Sequence, residues 1–589
     1  MLGALAFREI WAVDFEYRSD GDPPDVHCMA AVEVRTGREI VLWKDQLGPE
    51  PPFSTGEDAL FVAYYASAEM GCFLSLGWSP PAHILDLYAE YRNLGNGKAL
   101  PFGGKLTGLA QHKGLHHAFT SEKKDLQALG MRGGPYTEQE KRDLLEYCLE
   151  DARITAQIVP RFLPDILERN GHPLRTNLLH ALVRGKYTIA AARMERAGVP
   201  VDGPMLERLK ASWGGIQDRL IDEINPLYEV YEDGHLRKHL LAGYIERRGF
   251  RWPRTATGLY STSNDTFRDM AKVYPEVGPL KELLSTLGQV RLADLSVGSD
   301  GRNRALLGVF GARTGRNAPK AGRFVFGPAT WLRGLIVPPP GYALAYVDWS
   351  AQEIGIAAAL SGDAALLQDY LTDPYLGFAK RIGAAPPDAT KRTHGEIRDA
   401  MKTVVLGVGY GMGVGTMAAR LERDMDETAH LLAKHRRTYA RFWRWIDGAI
   451  DRGQLRGDLE TRLGWTRDVT RDKPTAIQNF PMQANAADMM RLASIYATEA
   501  GLEVLAPVHD AFLIMAPERW IKRTAAELQK HMKRASADLL DGFELRSSAS
   551  FVKGGKRYMD ARGILLWRKV MRLLREVETE RGIRRASNA

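Results

Sequence analysis

Hydrophobic and polar positions follow different periods in successive parts of the chain. They alternate one by one over residues 10–17, as in a half-buried strand, and residues 27–43 continue this pattern as a hairpin. Helix-like spacing follows as far as Phe162, and the turn-forming run Arg169–Pro173 then predicts a domain boundary. The first part of the chain is therefore expected to combine strands and helices in one α/β domain.

From Pro204 the apolar positions recur every three or four residues, which predicts one packed helix ending at Pro226. After the turn Pro338–Gly341 the pattern is again that of a strand. It becomes helical over residues 350–455, is mixed as far as residue 552, and closes with a basic, helix-like tail. No internal repeat and no low-complexity segment interrupts this succession.

Composition limits the class of protein. The 589 residues suggest about four domains, and 45% hydrophobic with 26% charged residues is ordinary globular composition. No apolar run reaches the ~18 residues of a membrane span, and Arg8 and Glu9 end the opening apolar stretch too early for a signal peptide. Cys28, Cys72 and Cys148 have no CxxC spacing, so zinc sites and a disulfide framework are not expected and a reducing cytoplasm suits the chain.

The net charge of +8 is concentrated at the end of the chain. Residues 553–589 hold eleven lysines and arginines against four acids, so this tail carries +7 of the total and the rest is nearly neutral. A nucleic-acid surface must then be a local patch. For the tail itself two interpretations remain open: it holds duplex DNA, or it is a disordered, solubilising end.

Two carboxylates share one face of the first strand. Asp14 and Glu16 point the same way as Ala12, and two such groups repel each other unless a cation lies between them. The alternative is an edge strand with a solvated acidic face. Further along, Tyr147 and Asp151 are four residues apart on one face of a helix, which an ordinary amphipathic helix would also show.

Together, the D-x-E strand and the Y-x-x-x-D helix resemble the 3′–5′ exonuclease of the DEDDy class, which is found beside family A DNA polymerases. The resemblance implies a further carboxylate on a middle helix, where Glu69 is the best match although the family usually has Asp there, and Asp86 is the next candidate. It also implies that one metal ion is bound by Asp14, Glu16 and Asp151, and a second by Asp14 and Glu69. Tyr147 would orient the attacking water.

A second pair of acids lies far apart in the sequence. Asp348 ends the predicted strand that begins at Gly341, and Asp510 lies at the tip of a tight hairpin within Val504–Ile514. Either aspartate alone would usually be a cap or a turn residue. The segment between them favours a functional interpretation.

In that segment a helix carries four side chains at four-residue steps. Arg398, Lys402, Leu406 and Tyr410 form one slowly winding stripe, and two cations one turn apart suit the charges of a triphosphate. The glycines at 407, 409 and 411 would let a flat base pair approach the backbone. The alternative is a basic, solvated helix with a glycine-rich end.

The sequences DWSAQE, RxxxKxxxxGxxYG and VHD resemble motifs A, B and C of family A (DNA polymerase I-like) DNA polymerases, in that order. Thr314–Arg316 and Asn479–Gln483 resemble two further elements of the family, and the similarity runs from about residue 180 to about residue 560. It implies an α/β multidomain fold with an RNase H-like exonuclease domain at 1–168 and a right-hand polymerase domain at 175–589. Within the latter it implies a palm at 175–202, 335–370 and 455–560, a thumb at 203–334, fingers at 371–454 and a basic tail at 561–589.

The resemblance also implies the function of a template-directed DNA polymerase with a proofreading exonuclease. Asp348 and Asp510 would bind two Mg²⁺ ions per active site, with Mn²⁺ as a substitute. The expected partners are primer–template DNA and dNTPs, in a cytoplasmic, monomeric enzyme without a membrane. The remaining roles are phosphate binding by Arg398 and Lys402, with Lys402 as a general acid, nucleotide contacts by Leu406, Tyr410 and Glu353, and primer–template contacts by Arg316, Asn479, Gln483 and His509.

Three positions depart from the family pattern: Leu406 replaces an aromatic residue, Ala511 replaces an acid, and Gly355 replaces an arginine. Glu353 has a second interpretation, because Ser350 and Glu353 fit a capping box that only starts a helix. Two other functions are weighed, a single-subunit RNA polymerase and a polymerase-like DNA-binding protein with nuclease activity alone. No 5′-nuclease domain precedes Asp14, so the layout resembles a phage-type or Klenow-like enzyme that replicates phage DNA.

Overall fold

The structure, a computed structural model, describes residues 2–115, 122–289, 292–327 and 329–587. The chain forms two compact units, of which the first comprises residues 1–197, 306–319 and 344–551 and the second 198–305, 320–343 and 552–589. Residues 306–319, assigned above to the thumb, thus lie in the first unit, and the basic tail lies in the second with most of the predicted thumb. The predicted domain limits remain a prediction.

Up to residue 197, the described residues of the first unit form one five-stranded sheet and six α-helices. The strands are β1 (Glu9–Arg18), β2 (Asp25–Glu33), β3 (Glu39–Trp43), β4 (Ala59–Ala63) and β5 (Ile84–Asp86). The helices are α1 (Ser67–Leu76), α2 (Leu87–Leu94), α3 (Leu106–His112), α4 (Glu122–Arg132), α5 (Glu138–Leu167) and α6 (Leu174–Ala197).

The sheet has the strand order β3-β2-β1-β4-β5. β2 is antiparallel to both β1 and β3, whereas β4 runs parallel to β1 and β5 parallel to β4. Parallel pairs require crossover connections, which α1 supplies between β4 and β5. The mixed α/β class expected from the sequence is confirmed.

The alternation of side chains along β1 explains where its acids lie. Trp11, Val13 and Phe15 belong to one buried cluster, with the side chains of α1. Ala12 faces the opposite side, in the cluster that contains Cys148 of α5. Asp14 and Glu16 follow Ala12 at two-residue steps, so they lie on the face of the sheet that α5 covers.

In the segment from 198 to 343, the described residues form short strands and four α-helices. The strands are β6 (Val199–Pro200), β7 (Tyr231–Glu232), β8 (His235–Leu236) and β9 (Arg302–Asn303). The helices are α7 (Gly203–Tyr228), α8 (Lys238–Arg248), α9 (Asn264–Val273) and α10 (Gly278–Gln289).

The predicted end of α7 at Pro226 is wrong, because the helix continues to Tyr228. Proline lacks one amide hydrogen, and so close to the end of a helix only a single backbone hydrogen bond is lost. The helix ends instead at Glu229, which adopts the left-handed conformation with φ 54°.

The remainder of the chain is largely helical around a second sheet. Its strands are β10 (Tyr342–Trp349), β11 (Asp458–Glu460), β12 (Thr466–Asp468), β13 (Val504–Val508), β14 (Ala511–Pro517) and β15 (Ser547–Val552). Its helices are α11 (Gln352–Ser361), α12 (Ala364–Thr372), α13 (Pro374–Arg381), α14 (Gly395–Gly409), α15 (Val414–Leu421), α16 (Met425–Thr438), α17 (Ala440–Arg456), α18 (Pro474–Glu499), α19 (Ile521–Leu539) and α20 (Ile564–Ser587).

The second sheet has the order β13-β14-β10-β15. Its two central strands are β10, which was predicted after Gly341, and β14, the second strand of the hairpin predicted within residues 504–514. Arg184 of α6 makes a buried bidentate ion pair with Glu90 of α2, at 2.6 and 2.9 Å, and so ties the first sheet's helices to α6. No helix among the described residues is long and apolar enough to cross a membrane.

Candidate functional site

Asp348 and Asp510 come together at one end of the second sheet. Asp348 is the penultimate residue of β10, and Asp510 is in the two-residue turn between β13 and β14. His509, the other turn residue, has a left-handed φ of 58°, so the hairpin reverses at once. The Trp349 amide donates to the Asp510 carbonyl oxygen at 3.2 Å, which holds the turn against the end of β10.

The electrostatics of this pair favour a cation. Burial, followed by the neighbouring Asp510 carboxylate, raises the pKa of Asp348 to about 7. The Oδ1 atom of Asp348 is buried and has no hydrogen-bond partner among the described residues. A buried, unpaired carboxylate oxygen beside a second carboxylate fits a divalent ion, which prefers oxygen ligands.

The metal assignment rests on this carboxylate chemistry. In residues 2–115, 122–289, 292–327 and 329–587, no three His, Cys, Asp or Glu side chains are gathered in the way that ligands of one ion would be. Asp348 and Asp510 would therefore supply two protein ligands, and the rest of the coordination shell would come from other oxygen donors.

The predicted stripe lies on the accessible side of α14. Lys402 and Tyr410 are exposed, and Arg398 and Leu406 are half-buried. The guanidinium carbon of Arg398 lies 4.9 Å, and the Lys402 Nζ 6.0 Å, from the centre of the Tyr375 ring. Both cations are thus held over one aromatic face, as the quadrupole of a phenol ring favours.

Asp373 fixes Arg398 from the neighbouring helix. One Asp373 oxygen caps α13 by accepting the Tyr375 and Leu376 amides at 3.0 and 3.2 Å, and the other accepts the Arg398 Nε at 2.5 Å. Burial raises the pKa of Tyr375 to about 12, and Asp510 is among the charges that act on it. Tyr375 is therefore near Asp510 as well as near the cations of α14.

The sequence did not single out Asp373 or Tyr375. Asp373 followed by Pro374 is the signature of a helix start, with an acid at the N-cap and proline in the first turn. That signal predicts a cap and nothing more. The second function of the Asp373 carboxylate depends on Arg398, which is 25 residues away in the sequence.

Only one of the three glycines near the end of α14 is open to an approaching base pair. A Cβ at Gly409 would meet nothing within 4 Å, whereas one at Gly407 would lie 2.7 Å from Met417 Cε. Gly411 has φ +62° and a Cβ there would lie 2.7 Å from Thr475. Gly407 and Gly411 thus serve the packing of the chain itself, and the approach of a flat base pair to the backbone stays a prediction, with open space at Gly409.

Glu353 does not close a capping box. The N-cap of α11 is Ala351, with φ 51°, and the Ser350 amide donates to the Arg546 carbonyl oxygen at 2.8 Å. The Glu353 carboxylate instead accepts from Arg316 at 3.0 Å.

Tyr410 also hydrogen-bonds to Glu353. Burial, followed by that carboxylate, raises the pKa of Tyr410 to about 12. The structure thus joins Arg316, Glu353 and Tyr410, which are distant in the sequence, into one hydrogen-bonded cluster.

The remaining predicted DNA contacts lie on α18 and on the hairpin. Asn479 and Gln483 are four residues apart on one face of α18 and both are half-buried, and the Asn479 Oδ1 has no partner among the described residues. His509 is exposed at the hairpin tip. Gly355, which departs from the family pattern, packs so closely that a Cβ would lie 2.8 Å from the Tyr370 ring. A larger side chain therefore does not fit there.

The second cluster of carboxylates lies between β1 and α5. Asp14, Glu16, Tyr147 and Asp151 are half-buried. Burial raises the pKa of Tyr147, and Asp151, Glu16 and Asp14 raise it further, so the three acids lie around one phenol. The Cys148 Sγ donates to the Asp14 carbonyl oxygen at 3.3 Å and ties α5 to β1.

Glu69 is buried against the same cluster. Its side chain is in the first turn of α1 and is 5% exposed, its Oε2 has no described hydrogen-bond partner, and burial followed by Asp14 raises its pKa. Asp86, the other candidate, caps α2 and accepts from the Tyr65 and Tyr88 amides at 3.0 and 2.9 Å. Because Asp86 is engaged by these backbone amides, Glu69 is the better candidate for a metal ligand.

Comparisons with known proteins agree with the motifs that contain Asp348, Arg398 and Asp510. Residues 321–549 match the family model described as DNA polymerase family A. The DNA polymerase I, thermostable, of Thermus caldophilus is 29% identical over 220 residues, which are 35% of this chain and 26% of that protein. That of Thermus thermophilus is 24% identical over 511 residues, which are 79% of this chain and 61% of that protein. The chain thus spans less than two thirds of these relatives.

Among solved structures, the chain is similar to the POL domain of Pol1 from M. smegmatis, in complex with DNA primer-template and dNTP. The TM-score is 0.66 at 20% sequence identity, over 94% of this chain and 96% of that one. This likeness shows a shared fold.

Proposed function

Residues 321–549 belong to DNA polymerase family A, and from this premise we propose that the chain is a template-directed DNA polymerase that adds dNTPs to a primer 3′ end. The observation that carries the proposal is the Asp348–Asp510 pair, in which the buried Oδ1 of Asp348 has no hydrogen-bond partner among the described residues. The cations of α14 are near this pair, since Arg398 and Asp510 both act on the pKa of Tyr375. A nucleotide needs both features, a metal-binding pair of acids and cations for its phosphates.

Two divalent ions, Mg²⁺ by preference, would be held by Asp348 and Asp510 and would supply the positive charge that activates the primer hydroxyl and neutralises the phosphates. Arg398 and Lys402 would bind the triphosphate, because both present donors from the accessible side of α14. Lys402 would give a proton to the departing pyrophosphate. Arg398 is held ready by Asp373, so little reorganisation is needed when the nucleotide binds.

Sugar selection would depend on the cluster around Glu353. Arg316 and Tyr410 hold this carboxylate in one position, and a rigid carboxylate at the incoming sugar would collide with a 2′-hydroxyl. We assign contacts along the primer–template to Arg316, Asn479, Gln483 and His509, and a contact at the templating position to Tyr410. Leu406 would border the nucleotide on the same stripe.

We further propose that the cluster of acids between β1 and α5 is a 3′–5′ exonuclease that removes mismatched primer ends. Its support is the set of Asp14, Glu16 and Asp151 around Tyr147, with the buried Glu69 beside Asp14. Tyr147 would orient the attacking water. No three of these acids are gathered as ligands of one ion in the described residues, so they would have to close around the divalent ions that this chemistry requires.

The relatives compared above are bacterial, and the solved structure that shares the fold carries primer-template DNA and dNTP. We propose the same two partners for this chain, acting as a monomer. A role in phage replication stays a prediction.

Primer extension by the purified protein tests the polymerase directly. With Mg²⁺ and dNTPs, the wild-type protein should lengthen a primer on its template, and Asp510→Asn should abolish extension by removing a metal ligand without changing the side-chain volume. Asp363→Asn is the control, because this acid accepts from the backbone amides of Leu366, Arg441 and Phe442 in the same unit. Extension with rNTPs in place of dNTPs would establish the RNA polymerase instead.

A further inference from the structure

The basic tail of the chain forms a helix that packs on α7 within the second unit. On the inner face of α20, Trp567, Val570, Leu573, Leu574 and Val577 are all buried. The two helices approach closely, since a Cβ at Gly215 of α7 would lie 3.1 Å from a methyl of Val577. The interpretation of the tail as a disordered end is therefore wrong over the described residues of α20.

The glutamates of α20 form ion pairs with arginines of α7. Glu578 makes a bidentate ion pair with Arg208 at 2.8 and 2.9 Å, and Glu576 and Glu580 both pair with Arg219. In return, Lys569 and Arg572 share Glu223 of α7 at 2.5 and 3.0 Å. These pairs fix the rotation of α20 about its own axis, so its outward face is defined.

That outward face is basic. Arg568, Arg572 and Arg575 are exposed and, at 100° per residue, lie within about 60° of one another around the helix. The side chains of α20 are described over residues 564–582. In that part the acids lie on either side of the basic face and point towards α7. Arg568 and Arg575 have no ion-pair partner among the described residues, and about 10 Å of helix axis separates them.

We propose that this face of α20, with Arg568 and Arg575 as its free cations, binds the phosphate backbone of duplex DNA. The inference rests on the proposed function for the presence of a duplex, and it adds a surface outside residues 321–549, which match the family model. Two guanidinium groups without an ion-pair partner, on a basic face with no acid between them, are complementary to the phosphates of a duplex backbone.

This surface would bind without reading sequence. Exposed arginines on a helix reach phosphate oxygens rather than base edges unless the helix enters a groove, and phosphate contacts carry no sequence information. The contribution to affinity would come from released counterions, so it would fall as salt rises. The +7 charge of the tail would then hold the protein on the duplex.

The test compares binding of the full-length protein to a fluorescent primer–template by anisotropy over a range of salt. Replacing both free arginines, in Arg568→Gln with Arg575→Gln, should weaken binding about tenfold at low salt and make the slope of log K against log salt shallower by about 2. Arg568→Lys with Arg575→Lys keeps the charge and should bind nearly as the wild type does. Lys522→Gln with Arg523→Gln, exposed on α19, removes the same charge from another surface and should change little.

Three results would overturn the proposal: an unchanged salt slope in the glutamine variant, an equal loss in the α19 control, or a loss confined to single-stranded template. Primer extension by the wild type is measured in parallel. If it extends the primer while the glutamine variant binds normally, the polymerase stands and this surface is refuted. If the wild type extends no primer, the proposed function fails and the binding comparison still decides the surface.

Discussion

The Glu353 carboxylate is held by a guanidinium and a phenol, both from distant parts of the chain. A side chain fixed from two sides can exclude a hydroxyl group that a mobile one would accommodate. We therefore expect Glu353→Ala to raise ribonucleotide incorporation, relative to deoxynucleotide, by well over tenfold, or more than ~1.4 kcal/mol of discrimination. Single-nucleotide extension with matched dNTP and rNTP measures this ratio.

Ser350→Ala serves as the matched control. Since the Ser350 amide, and not its side chain, is engaged with Arg546, this substitution should leave both the melting temperature and the sugar preference nearly unchanged. If Glu353→Ala merely melts earlier and selects sugars as before, the carboxylate has only a structural role, and the case against an RNA polymerase loses its main support.

Asp373 is the residue whose importance only the structure reveals. Asp373→Asn keeps the cap of α13 but removes the charge that holds Arg398. We expect the KM for dNTP to rise about tenfold with a smaller change in kcat. An Arg398 side chain that is no longer held in place would bind the triphosphate more weakly in the ground state and in the transition state alike.

Asp363→Asn is again the comparison, since Asp363 also caps a helix and is bonded to backbone amides. It should leave the KM alone. An Asp373→Asn enzyme with an unchanged KM, or an Asp363→Asn enzyme with the same rise, would contradict the positioning of Arg398 by Asp373.

Single residues were predictable from the sequence where local spacing sufficed. The stripe of α14 follows from four-residue steps, and the facing of Asp14 and Glu16 follows from strand alternation. The partners of Glu353 could not be predicted, because the local S-x-x-E pattern favours a capping box, whereas tertiary contacts decide where the carboxylate lies.

At the level of elements, α1 places Glu69 close to Asp14 of the first strand. We expect Glu69→Gln to slow degradation of a mismatched primer end by at least ~10-fold, since perturbed metal sites typically lose 10–100-fold. Gel analysis of a labelled, mismatched primer measures the rate.

Asp86→Asn is the control here, because an asparagine can still cap α2. It should degrade the primer nearly as the wild type does. Near-normal degradation by Glu69→Gln together with a defect in Asp86→Asn would move the ligand to Asp86.

Helix α16 carries a histidine that should make this region sensitive to acid. His435 is 2% exposed, accepts a hydrogen bond from Trp443 Nε1 at 3.2 Å, and burial lowers its pKa from 6.5 to about 3. The unfolded chain therefore takes up a proton at higher pH than the folded chain. Stability should fall as the pH drops below 6.5, by at most about 1.4 kcal/mol per pH unit until pH 3.

Thermal unfolding between pH 7 and pH 4 checks this. His435→Gln should lose less stability over that range than the wild type does, whereas His430→Gln, at an exposed position of the same helix, should follow the wild type. Equal acid sensitivity in all three proteins would show that His435 is not the group responsible.

Among the elements, strand β10, the β13–β14 hairpin and helix α14 were predictable, because alternation, a two-residue turn and four-residue periodicity are local signals. The end of α7 was not, since a proline near a helix end removes just one hydrogen bond. The roles of Gly407 and Gly411 depend on Met417 and Thr475, which no local pattern identifies.

For the molecule as a whole, both carboxylate clusters lie in the first compact unit, and the tail folds with the second. The resemblance of the motifs to family A polymerases, drawn from the sequence, is confirmed for residues 321–549. The limits of the palm, fingers and thumb remain predictions, because a unit assembled from three separate segments leaves no local signal at each boundary.

The central claim is that one chain holds two separate active sites, one that extends a primer and one that shortens it. One experiment in Mg²⁺, on primers with a matched and with a mismatched 3′ end, follows lengthened and shortened products of the wild type, of Asp348→Ala and of the double variant Asp14→Ala with Glu16→Ala. We expect Asp348→Ala to shorten the primer without extending it, because only the polymerase site loses a metal ligand. The double variant should extend a matched primer and leave mismatched ends intact. Loss of both activities in either variant, in protein that remains folded, would contradict the two-site account.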